Sequence, residues 1–143
     1  MNAKKIFSYT FVLTLILLFL ISCQSAQGFP EGSYTAVLSA ENLPADLPPE
    51  VVTFLAGTWE ITFTNDALVA NKDGELMVEG TYYANNDKIT VTDTGGPASA
   101  TSAEEATGQY QWTLKGDQLT FSVLNEPSFG RQIVFATVPW TKK

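Results

Sequence analysis

The chain has no histidine, a single cysteine and a single arginine among its 143 residues. Without histidine, the commonest general base and metal ligand is missing. A lone cysteine excludes an internal disulfide. No serine lies in a Gly-X-Ser-X-Gly turn and no glycine-rich phosphate loop is present. Asp66, Asp73, Asp87 and Asp117 lie in or near turns, where aspartate caps local backbone N–H groups, and they lack EF-hand spacing. Glu104 and Glu105 are adjacent in a loop, which fits a solvated pair better than two carboxylates converging on one bond. Neither an enzyme nor a cofactor or metal site is therefore expected. Positive charge is also scarce, with 8 basic against 15 acidic residues and a net charge of −7. Lys4 and Lys5 lie at the extreme start, and without them the balance is 6 against 15, or −9. Such a domain repels nucleic acid and anionic head groups.

What the sequence does contain begins with an apolar run. After Lys4 and Lys5, Ile6 to Ile21 are apolar except for Ser8, Tyr9, Thr10 and Thr14. A charged start and an apolar core make a secretory leader. An uncleaved membrane helix is the alternative, but the run falls short of the roughly 20 residues that span a bilayer. Leu20-Ile21-Ser22-Cys23 resembles the bacterial lipobox. That resemblance implies a signal peptide over residues 1–22, cut before Cys23, and diacylglycerol on the Cys23 thiol. Two or three acyl chains on one residue hold a protein at a membrane stably, which one chain does not. The expected location is the bacterial cell envelope. Gln24, not aspartate, follows the cysteine, which fits outer-membrane sorting if the source has two membranes.

Residues 23–32 read as the lipidated cysteine and a flexible, polar tether. Residues 33–143 then form one domain, enough for a modest core. Most of it alternates as strands do. Ser33 to Ser39 is a first β-like run, and Glu50 to Leu55 makes one short helical turn started by Pro48 and Pro49. Thr58 to Thr64 places Trp59, Ile61 and Phe63 on one face. Ala67 to Ala70 is a short partner, followed by the turn signal Asn71 to Gly74. Leu76 to Ala84 and Lys88 to Asp93 flank Asn85-Asn86-Asp87, and Gln109 to Lys115 and Gln118 to Leu124 flank Gly116-Asp117. Ile133 to Trp140 supplies the last strand, with Pro139 placing it at an edge or end. The long connection Thr94 to Thr107 reads as disordered, or as a lid over a barrel mouth. Seven or eight short strands define an all-β sandwich or a closed antiparallel barrel.

Ala56-Gly57-Thr58-Trp59-Glu60 resembles the Gly-X-Trp motif at the first barrel strand of lipocalins and related calycins. Gly80-Thr81-Tyr82, Asp87-Lys88-Ile89-Thr90 and Leu119-Thr120-Phe121 resemble hairpins of small bacterial lipocalin-like domains. The resemblance covers Leu55 to Trp140, with Ser33 to Pro49 either an added strand or the first strand of a different barrel. It implies a lipocalin-like barrel in which a short helical turn leads into Gly57, Trp59 plugs one end, and Arg131 packs on the indole by cation–π attraction.

Barrels of eight strands are filled by side chains or hold one small ligand. Tyr82, Tyr110, Trp112 and Phe121 are the candidate ligand-lining residues, although each also reads as plain core. The expectation is a lipid-anchored domain binding a small apolar or amphipathic molecule. The alternative is a protein-interaction or structural envelope lipoprotein with a filled barrel.

Overall fold

Strict alternation in Thr107–Lys115 turns Gly108, Tyr110 and Trp112 inward and leaves the threonines and glutamines outside. The same period of two buries Trp59, Ile61 and Phe63 in Gly57–Thr64. Strands of this kind bury one face only, so a sheet of them must close or stack. In the computed structural model, which describes residues 28–143, they close into a barrel. Residues 1–27, with the signal peptide, Cys23 and most of the tether, lie outside the described residues.

Eight antiparallel strands follow one another around the barrel: β1 (Gly32–Leu38), β2 (Gly57–Thr64), β3 (Ala67–Lys72), β4 (Glu75–Asn85), β5 (Lys88–Gly95), β6 (Thr107–Lys115), β7 (Gln118–Asn125) and β8 (Trp140–Lys142). Each pairs with its sequence neighbour, and β8 closes on β1 through Thr35 opposite Thr141. The closing seam is short, since β8 pairs only with Tyr34 and Thr35 of β1 and with Gln118 and Leu119 of β7. The segment Ser33 to Pro49 thus contains a full barrel strand, seated between β2 and β8. Tyr34 faces Ile61, Ile61 faces Ala70, Tyr82 faces Val91, Ile89 faces Tyr110 and Trp112 faces Phe121. These inward residues form one continuous core.

The two ends of the barrel differ. At one, β2–β3, β4–β5 and β6–β7 are joined by the two-residue turns Asn65-Asp66, Asn86-Asp87 and Gly116-Asp117. Asn65, Asp66, Asn86 and Gly116 have positive φ, as tight hairpins following the strand twist require. This is the turn end. The other end carries the long connections and two helices, α1 (Pro49–Leu55) and α2 (Phe129–Ala136). Pro48 stands at the N-cap position of α1 and Pro49 opens the helix, as expected from the sequence.

The second helix corrects the expectation of a strand over Ile133 to Trp140; only Trp140–Lys142 is extended. Ser128 caps α2, its hydroxyl accepting from the Arg131 amide at 3.5 Å. The helix buries Ile133, Val134 and Phe135 and packs along β7, where β8 is too short to reach. A four-residue apolar run fits a buried helix as well as a strand, and burial against β7 decides it.

Candidate functional site

Three backbone features position the helix end. Leu55, the last residue of α1, offers its carbonyl to the Trp59 indole N–H at 2.8 Å. Gly57 between them has φ +144°, and a Cβ there would lie 2.5 Å from the Asp73 carboxylate. The Gly-X-Trp glycine therefore serves a left-handed turn that admits Asp73, whose carboxylate accepts from the Thr58 amide at 2.8 Å. Lys72 and that amide hold the Asp73 carboxyl below its ordinary pKa.

Trp59 and Arg131, which the resemblance pairs, border one cleft, and Arg131 directs its donors at oxygens. Its Nε donates to Glu126 at 2.7 Å, and its Nη2 donates to the other Glu126 oxygen and to the Glu105 carbonyl, both at 2.7 Å. Its Nη1 donates to the Ala106 carbonyl at 3.0 Å and pairs with Asp93 at 2.9 Å. A guanidinium has five N–H donors, and five oxygens meet them. The side chains of Arg131, Asp93 and Glu126 are 8%, 7% and 0% exposed. Burial alone would lower the Arg131 pKa, but Glu126 and Asp93 outweigh it and drive it upward. Tyr110 donates its hydroxyl to Glu126; burial first, and that hydrogen bond second, raise its pKa far above the ordinary phenol value. Gly108 makes this packing geometrically feasible, because a Cβ there would collide with the Glu126 carboxylate.

The same cluster orders the Thr94 to Thr107 connection, which the sequence led us to expect as disordered. Arg131 holds the carbonyls of Glu105 and Ala106, Asp93 accepts from the Ala100 amide at 2.9 Å, and the Ala98 amide donates to Met77 at 2.8 Å. A buried charge cluster pins the loop against the barrel.

Between this loop, α1, α2 and the barrel wall lies an apolar cleft of about 70 Å³, lined among others by Phe54, Trp59, Leu68, Val78, Arg131 and Val134. One water needs about 10–15 Å³ of such volume, so the cleft takes a group of roughly five heavy atoms. Ligand pockets for whole drug-sized molecules are several times larger. Since all five Arg131 donors are occupied, the cleft offers apolar surface and no unpaired cation.

The residues singled out as ligand-lining lie elsewhere. Tyr82, Tyr110, Trp112 and Phe121 do point inward, but none of them lines the cleft. Tyr110 and Phe121 pack on Phe135 of α2, with ring centroids 5.0 Å apart in both pairs. Tyr82 and Trp112 belong to the turn end, where the Phe29 ring stands 5.3 and 5.4 Å from theirs and 4.9 Å from Phe63. Phe29 lies within the stretch read as tether, and it fills the barrel mouth. Glu31 continues this packing, accepting from the Tyr82 hydroxyl and from the Asn65 amide at 3.1 Å. Burial first, and then the Glu31 hydrogen bond, push the Tyr82 pKa strongly upward. One polar atom in this aromatic group is unsatisfied. The Trp112 indole N–H is buried and, among the described residues, has no hydrogen-bond partner. The other two indoles donate to the carbonyls of Leu55 and Phe135.

Comparisons with protein families, curated proteins and solved structures find no match, so the chemistry of the barrel itself carries the functional argument.

Proposed function

We propose that this protein is a lipid-anchored, lipocalin-like lipoprotein of the bacterial envelope, held by Cys23, which binds the apolar part of a small amphipathic molecule. The observation that carries this reading is the helix-end cleft, apolar on its walls and closed to charged groups by the saturation of Arg131. A short alkyl or ring portion enters the cleft, and the polar remainder of the ligand stays in water near the exposed Phe54. No catalytic step, cofactor or nucleic acid belongs to this reading.

The test is native mass spectrometry of the purified mature protein after incubation with envelope lipid extract. A retained small molecule, lost in Ala98→Phe, which fills the cleft from its rim, is the expected result. No retained molecule in the wild-type protein would overturn the proposal. The anchor has a separate test, since Cys23→Ser should abolish fatty-acid labelling and release the protein to the soluble fraction.

A second reading, a protein-interaction or structural envelope domain, is favoured by one observation. The outer face of β4 to β7 exposes Tyr83 and Leu124 around a polar groove of about 400 Å³. Capture of one stoichiometric protein partner, lost in Tyr83→Ser, would replace the first reading with this one.

A further inference from the structure

The turn end of the barrel has an incomplete hydrogen-bond inventory, and its occupant comes from a thin strap of chain. Phe29 is half-buried against Phe63, Tyr82 and Trp112. What holds it there is local: the Glu31 amide donates to the Phe29 carbonyl at 3.0 Å, and the Tyr34 hydroxyl donates to Pro30 at 2.6 Å. Glu31 itself is exposed and ties the strap to Tyr82 and Asn65. Trp112, edge-on to the Phe29 ring, carries a buried indole N–H that has no partner among the described residues. A phenyl ring satisfies the apolar surface of this site and leaves that donor unmet, which carries a real free-energy penalty in a buried position.

We infer that Phe29 is a built-in plug of a second binding site, and that the site takes a neutral aromatic molecule carrying a hydrogen-bond acceptor for Trp112. Such a ligand replaces the ring contacts of Phe29 and adds the hydrogen bond that Phe29 lacks. It is neutral because either charge would have to be desolvated among the Phe63, Tyr82 and Trp112 rings, and an anion would in addition be repelled by the acidic chain and the Glu31 carboxylate at the mouth. Binding withdraws residues 29–31 from the barrel mouth, so occupancy of the site is coupled to release of the strap that precedes β1. The site is distinct from the helix-end cleft and stands independently of it.

The test uses the mature full chain and prodan, a neutral naphthalene with a ketone acceptor whose emission shifts to the blue on burial. Phe29→Ala should bind prodan about tenfold more tightly than wild type, because the competing occupant is gone. Adding Trp112→Phe to that variant should weaken binding about fivefold by removing the donor. Equal affinity of folded wild type and Phe29→Ala would overturn the inference. Hydrogen exchange on the unmutated protein reads the same event if Phe29→Ala does not fold. Saturating prodan should deprotect the amides of Glu31 and Asn65, which the strap holds. Unchanged exchange there would overturn the inference. Altered exchange only in α2 would also overturn it, while placing prodan in the helix-end cleft and leaving the proposed function standing.

Discussion

At the helix end of the barrel a charged side chain is buried with every donor matched, whereas at the turn end an uncharged indole is buried with its only donor unmatched among the described residues. The first arrangement costs much to assemble and more to break. Each partner is desolvated, so loss of one leaves the others stranded in low dielectric. The second arrangement is closed by apolar rings on a short strap, and rings can be exchanged for other rings. Rigidity and exchangeability thus lie at opposite ends of one small barrel. A helix-end network that fixes α2 and the long loop gives a constant cleft, and a turn-end plug gives a site that opens only by moving chain.

The largest effect that would break this comparison is at Arg131. Arg131→Met keeps most of the side-chain volume but leaves the fully buried Glu126 and the nearly buried Asp93 without a cation. A loss of about 3–5 kcal/mol in urea unfolding is expected, as for other broken buried pairs. The Ala100 amide should lose exchange protection as the loop comes free. A loss below about 1 kcal/mol would mean that the cluster is solvated and that the two ends do not differ as described.

Next comes the alkaline limb of stability. Tyr110 has its pKa raised by burial and by Glu126, so the folded protein holds the phenolic proton more tightly than the unfolded chain. The stabilising contribution is complete below the unfolded value of 10.0 and falls as pH rises beyond it. The decline approaches about 1.4 kcal/mol per pH unit for one such group. Tyr110→Phe should cost about 1–3 kcal/mol at neutral pH, by leaving Glu126 short of a donor, and should flatten the limb above pH 10. Tyr82→Phe should cost less at neutral pH, since its acceptor Glu31 is exposed and takes water instead. Unfolding midpoints across pH 7–11 check the ranking; equal costs would erase the electrostatic contrast between the ends.

Much of the wall was legible in the sequence because it depends on local pattern. Alternation through Trp59, Ile61 and Phe63 and the turns at Asn86-Asp87 and Gly116-Asp117 fix strands and hairpins within ten residues of chain. The helix over Phe129–Ala136 was missed, although Ser128 as N-cap, Phe129 and Ile133 at helical spacing and Pro139 beyond the end all signalled it. Taken without these flanking signals, the apolar run from Ile133 to Ala136 fits a strand equally well. The charge cluster was not legible at all. Asp93, Glu126 and Arg131 come from β5, from the chain after β7 and from α2, and no local rule relates them. Phe29 was hidden by its small and polar neighbours, which make the stretch resemble a linker. The role of Trp112 depends on which oxygens fail to reach it, a property of the assembled interior.

The smallest expected effect is the sharpest one, because it sets two chemically identical changes against each other. Trp59→Phe and Trp112→Phe both remove an indole N–H and a similar volume from a buried position. At Trp59 the lost donor was bonded to the Leu55 carbonyl at 2.8 Å, which also ties α1 to β2. That change should cost the packing difference and about 1 kcal/mol for the hydrogen bond. At Trp112 the donor has no partner among the described residues, so its removal relieves a desolvation penalty of about 1–3 kcal/mol, which offsets the packing loss. Trp112→Phe should therefore be neutral within about 0.5 kcal/mol, or stabilising, in the ligand-free protein. A cost equal to that of Trp59→Phe would show that the Trp112 N–H is satisfied after all. The unfilled donor would then vanish from the turn end, and with it the reason for a ligand to displace Phe29.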